Sequence, residues 1–142
     1  MEREHPGNRP GLSELLFFET HPEALPLYEA FREKILERVP QATLEVKKTQ
    51  ISFFLGTLFA AVSFAPVRRA ASRPSPYLTL TFGLATRLVH PRIDVATEPY
   101  PGRWTHHVTI GSPEEVDEEL LGWICQAADF AQTKRRSSRK GS

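Results

Sequence analysis

The sequence predicts an α+β fold: a single, mostly antiparallel sheet of four to six strands, with an N-terminal and a C-terminal helix packed on one face. Three observations carry this reading. Amphipathic stretches of helical period stand near each end, at residues 23–39 and 113–132. Between them lie runs rich in β-branched and aromatic residues, at 50–64 and 77–83, with polar residues at strand-like intervals. The chain of 142 residues is 40% hydrophobic and 25% charged, as expected of one globular domain.

Residues 1–11, with His5-Pro6-Gly7 and Arg9-Pro10-Gly11, read as a flexible lead-in, followed by a single domain over 12–133. Residues 12–18 suit a short helix whose Leu15, Leu16 and Phe18 seek a core. Pro22 and Glu23 open a second helix, which Pro26 can restart one turn later. Leu27, Phe31, Ile35 and Val39 share its apolar face, and Pro40 ends it.

Residues 43–48 alternate as a half-buried strand does, and 49–54 continue it or form the next. Gly56 marks a turn. Residues 58–64 are nearly all apolar and read as a central strand covered on both faces, so that truncating a fully buried Phe64 to alanine would cost about 3–5 kcal/mol. Residues 65–76 carry three prolines and three arginines and read as a long solvated loop. A strand follows over 77–82. Residues 87–95 suit an edge strand interrupted at His90-Pro91. Pro99-Tyr100-Pro101-Gly102 is a turn, and 104–110 alternate as a strand. Ser112-Pro113-Glu114-Glu115 forms a capping box for the last helix, whose stripe of Val116, Leu120, Trp123 or Ile124, Ala127 and Ala131 runs to about Gln132. Residues 134–142 read as a basic, disordered tail.

Several of these stretches together resemble a known pattern: Lys-Lys-Thr-Gln-Ile-Ser-Phe (47–53), Leu-Phe-Ala-Ala-Val-Ser-Phe (58–64), Tyr-Leu-Thr-Leu-Thr-Phe-Gly-Leu (77–84), Pro-Arg-Ile (91–93), Arg-Trp-Thr-His-His-Val (103–108) and the capped Ser-Pro-Glu-Glu helix. Over about residues 17–133 the chain resembles a family of small bacterial proteins that is a domain of unknown function, sometimes labelled a predicted transport protein. The resemblance implies the α+β fold and brings no activity. More distantly, the helix–strand–Ile-Ser-Phe–strand order is similar to YdhG-like proteins. One branch of these has been linked to iron delivery, which implies an iron-chaperone-like role.

The formal net charge of +1 argues against a strongly electrostatic nucleic-acid binder. Positive charge is nonetheless concentrated mid-chain, where Arg68, Arg69, Arg73, Arg87, Arg92 and Arg103 face only Asp94 and Glu98. Arg87, Arg92 and Arg103 flank the expected sheet edge beside Tyr100, Trp104 and His106, a composition that suits a planar anion. The leading expectation is therefore a non-enzymatic domain that binds an anionic small molecule or protein partner at this edge. A metal-handling alternative would use His90, Asp94 and His106 or His107. Adjacent histidines on a strand point to opposite faces, so only one of them could join such a set. An enzyme with Lys47 or Lys48 and His106 is a further alternative. No Gly-x-Ser-x-Gly, Cys-x-x-Cys or phosphate-cradling glycine loop occurs, and no cofactor is expected. One cysteine, Cys125, cannot form an intrachain disulfide, and no secretion signal or bilayer-spanning apolar run is present, which points to the cytoplasm. Exposed sheet edges make a homodimer the expected self-association.

Overall fold

The computed structural model describes the backbone of residues 5–140 and the side chains of residues 5–133. Two helices, α1 (Leu12–Phe17) and α2 (Leu25–Arg38), precede six strands: β1 (Thr43–Val46), β2 (Gln50–Leu55), β3 (Thr57–Ser63), β4 (Leu78–Leu84), β5 (Val95–Tyr100) and β6 (Arg103–Ile110). The last helix, α3, spans Glu118–Lys140. The strands form one sheet in the order β1-β2-β3-β4-β6-β5, and every neighbouring pair is antiparallel. Two tight hairpins need glycine: Gly56 and Gly102 take φ of 81° and 84°, which residues with a Cβ rarely adopt.

Strand alternation sorts the residues onto two faces. Cross-strand partners align Leu44, Phe53, Ala60, Phe82 and His106 in one row, and Val46, Ile51, Val62, Leu80 and Val108 in the next. Both helix stripes pack on this face. Phe31 of α2 meets Phe53 edge-on at 5.6 Å between ring centroids, and Trp123 of α3 lies 6.2 Å from Phe82, nearly parallel. The opposite face carries Ser52, Ala61, Thr79 and Thr109, also buried.

Several expectations are corrected in detail. The 65–76 segment is not simply a solvated loop, because its ends are pinned: Thr79 Oγ1 donates to the Ala65 carbonyl at 2.6 Å, and the Tyr77 hydroxyl donates to Phe64 at 2.6 Å. Near its far end Pro74 packs so closely on Gly111 that a Cβ there would lie 2.5 Å away. Residues 87–94 form no strand; pairing starts at Val95, which faces His107, and continues to Tyr100. In α1, Phe18 reaches the core from the helix end but Leu15 and Leu16 stay exposed, while Glu14 is buried. Phe64 is only half-buried. The Ser112 capping box closes a 3-10 turn over Pro113–Glu115, with the Glu115 carboxylate accepting from the Gly111 and Ser112 N–H groups. Asp117 caps α3 itself, accepting from the Leu120 N–H at 3.0 Å. Finally, α3 runs to Lys140 rather than Gln132, so residues 134–140 of the expected disordered tail have helical backbone; Gly141 and Ser142 lie outside the described residues. Among the described residues no helix is long and apolar enough to cross a membrane.

Candidate functional site

A cleft of about 460 Å³ opens where the ends of β2 and β3 meet the segment following α1. Its position follows from local chemistry. Proline at position 22 disfavours helical backbone at His21, which takes φ −139° and ψ 59°. The chain therefore turns after α1, with the His21 N–H bonded to the Phe18 carbonyl at 3.0 Å. That turn lays the His21 ring on Phe64, 4.0 Å away and 20° from parallel. On the preceding helix Phe17 is likewise near-parallel to Phe64, at 5.7 Å and 14°. Phe18, one residue on, turns into the core against Tyr28.

The polar side of the cleft comes from the β1–β2 turn, closed by a bond from the Lys47 N–H to the Gln50 carbonyl at 2.9 Å. Lys48 and Thr49 stand exposed at its tip, and Gln50 pairs across to Ser63. Thr20 and Ala65 complete the rim. Gln50 Nε2 donates to Ser52 Oγ at 2.7 Å, and Ser63 Oγ accepts from the Ala65 N–H at 3.3 Å. Lys48 has no ion-pair partner among the described residues, and no carboxylate lines the cleft. The site thus combines an aromatic wall, one cation and a few neutral polar groups, the composition typical of a small-molecule pocket.

The residues expected at the arginine edge do not gather into one such site. Arg92 donates to Asp117 at 2.9 Å, to Glu119 at 3.2 Å and to the Glu115 carbonyl at 2.7 Å, and its guanidinium lies over Trp123. Burial alone would lower its pKa, but these carboxylates outweigh it and hold the charge more firmly than usual. Arg87 sits over the Trp104 ring at 5.7 Å. Arg103 lies on the opposite sheet face from Trp104 and spreads over Gly83, where a Cβ would come within 2.6 Å of its guanidinium. Tyr100 is 46% exposed at the β5–β6 hairpin.

The histidines are each occupied. His106 is fully buried and stacked on Phe82 at 5.1 Å, and its Nε2 accepts the Leu88 N–H at 2.9 Å. The proton therefore sits on Nδ1, which has no hydrogen-bond partner among the described residues. Burial pushes its pKa down, against the backbone of Phe82 and Trp104. His107 meets the Thr81 hydroxyl at 2.9 Å on the other face, and burial lowers its pKa too, against the pull of Asp94. His90 Nδ1 accepts the Arg92 N–H at 3.1 Å and Nε2 lies 3.2 Å from Glu119. Asp94 takes Arg68 at 3.1 Å and the Thr109 N–H at 2.8 Å. Among the described residues no three His, Cys, Asp or Glu side chains gather as a metal ion requires. Lys47 lies 3.4 Å from Glu45, and Lys48 is separated from His106 by strands β3 and β4.

Of the cleft residues, only Lys48 was marked by the sequence. Phe17, His21 and Phe64 come from separate segments with no shared spacing, and His21 beside Pro22 was legible only as a helix start.

Residues 16–131 match the domain of unknown function family DUF5655, and the chain belongs to that family. No curated protein and no solved structure matches the chain.

Proposed function

We propose that this DUF5655 member is a non-enzymatic binding domain for a small anionic molecule, held in the cleft between the α1 turn and the β1–β2 turn. The observation that carries this reading is the lining itself: Phe17, His21 and Phe64 on one side, unpaired Lys48 on the other, and no acidic residue between them. A volume of about 460 Å³ falls within the usual range for small-molecule sites. The reading keeps the anion expected from the arginine-rich centre but moves its site, since Arg92 is already neutralised by Asp117 and Glu119. A hydrolase reading has less support. Ser63 Oγ receives the Ala65 N–H, and the group beside His21 Nδ1 is the Thr20 hydroxyl at 3.0 Å rather than a carboxylate.

The test is a thermal-unfolding panel of small acids, amines and neutral compounds on the wild-type chain and on Thr49→Trp, which fills the rim. A ligand at 100 times its Kd should raise the midpoint by about 10 °C in a domain of this size. Acids that shift the wild type and not Thr49→Trp support the cleft. Equal shifts in both proteins remove it.

A further inference from the structure

We infer that the ligand of this cleft is a flat aromatic ring carrying a single carboxylate, an inference that rests on the cleft being the binding site. Three features of the lining select this class. Of the rings that line the cleft, Phe17 and His21 both lie within 20° of parallel to Phe64, while Phe18 and Tyr77, outside the lining, meet Phe64 edge-on and fix its plane. A ligand ring laid along that stack gains contact area and favourable offset geometry together, which a puckered aliphatic ring of equal size does not.

The charge count sets the anion. Lys48 is the one lysine or arginine among the lining residues, and its ammonium is a compact point charge on a flexible stem. A phosphate dianion is ordinarily met by several cations, a bidentate guanidinium or a nest of backbone N–H groups. One ammonium with the neighbouring Thr49 hydroxyl matches a monoanion with two oxygens. Asp and Glu are absent from the lining, so no carboxylate meets the anion within the cleft and a cationic ligand finds no partner there.

The geometry also orders the two recognition elements. Phe17 and His21 come from α1 and the turn after it, Phe64 follows the end of β3, and Lys48 is on the β1–β2 turn, so ring and carboxylate are read by different side chains from different segments. They should therefore be separable by mutation.

The experiment is isothermal titration calorimetry on the full chain with benzoate, 2-naphthoate, cyclohexanecarboxylate, benzyl alcohol and phenyl phosphate. Benzoate or 2-naphthoate should bind one-to-one, with cyclohexanecarboxylate, benzyl alcohol and phenyl phosphate each at least about tenfold weaker. Lys48→Met should weaken the aromatic carboxylates by about tenfold and leave benzyl alcohol unchanged. His21→Ala should cost the aromatic acids more than cyclohexanecarboxylate, and His21→Phe should restore them. Cyclohexanecarboxylate equal to benzoate, phenyl phosphate tighter than either, or indifference to Lys48→Met would overturn the ligand class. If such ligands are still excluded by Thr49→Trp, the cleft itself stands. Binding of none of the five, together with a thermal panel that Thr49→Trp leaves unchanged, overturns both.

Discussion

Arg32 on α2 and Glu14 on α1 form an ion pair closed off from water: Nε and Oε2 are 2.7 Å apart, with side-chain exposures of 3% and 6%. Every strong group around it is used. The Tyr28 hydroxyl donates to the same Oε2, the Gly11 N–H donates to Oε1 at 2.9 Å, and Arg32 Nη1 donates to the Gly7 carbonyl at 2.9 Å. Burial, reinforced by the Glu14 charge, pushes the Tyr28 hydroxyl far above the ordinary phenol range. The network ties α1 and the chain before it to α2, and α1 in turn carries Phe17 into the cleft.

Removing one partner should therefore cost more than removing both. Glu14→Ala leaves Arg32 as an uncompensated buried charge and should destabilise the fold by about 3–5 kcal/mol, whereas Glu14→Leu with Arg32→Met should cost less, about 1–3 kcal/mol, set by the buried Tyr28 hydroxyl that it leaves without its acceptor. Urea unfolding of the two variants measures the difference. Equal losses would show that the pair is not isolated from solvent.

Two phenylalanines, Phe82 within β4 and Phe64 just past the end of β3, should respond differently. Phe82 is 1% exposed between His106 and Trp123, and Phe82→Ala should cost about 3–5 kcal/mol. Half-buried Phe64 should cost about 1–2 kcal/mol on the same change, because part of its surface already meets water. Phe64→Ala should also weaken any cleft ligand, which Phe82→Ala in a still-folded protein should not.

Asp117 serves α3 as both cap and counterion, and two substitutions separate the roles. Burial would raise its pKa, but the Leu120 N–H and Arg92 hold it below the ordinary carboxylate range. Its folded value is thus depressed, so its contribution is present above about pH 4 and is lost as pH falls through the folded value. Asp117→Asn keeps an N-cap oxygen and should cost less than Asp117→Ala, which should lose about 1 kcal/mol or somewhat more. Chemical denaturation at neutral pH reads both.

Acid should also act through His106 and His107. Both pKa values are lowered by burial, so the unfolded chain takes up protons that the folded chain resists. Their contribution is complete above about pH 6.5 and declines as pH falls from there toward the folded values. The urea midpoint should drop between pH 7 and pH 5, and His107→Gln should flatten that slope. A midpoint independent of pH across this window would contradict the buried neutral assignment.

Much of the sheet was legible because β4 and β6 alternate with a period of two, while β2 and β3 are short runs dense in apolar residues on either side of Gly56. Strand β5 was not, since Thr97, Glu98 and Pro99 lack that signal and the strand exists through its pairing with β6. The edge strand expected over 87–95 starts too early; that segment is held instead by single bonds, among them Leu88 N–H to His106 and Asp94 N–H to the His107 carbonyl. Counting charge found the excess of arginine, but it could not show that Arg92 meets Asp117, the residue that caps α3. Nor could spacing reveal that Leu15 and Leu16 face water while Glu14 is buried, because that inversion depends on Arg32 and Tyr28 in another helix. The cleft was least legible of all, its aromatic wall existing only once the α1 turn folds over the end of β3.

Amide chemical-shift mapping of the ¹⁵N-labelled chain during a benzoate titration tests most directly whether a ligand sits in the cleft. Saturable shifts are expected at His21, Lys48, Thr49, Gln50, Ser63 and Phe64, with Arg87, Arg103 and Trp104 unmoved. Saturable shifts confined to Arg87, Arg103 and Trp104 would contradict this placement and return the site to the far edge of the sheet.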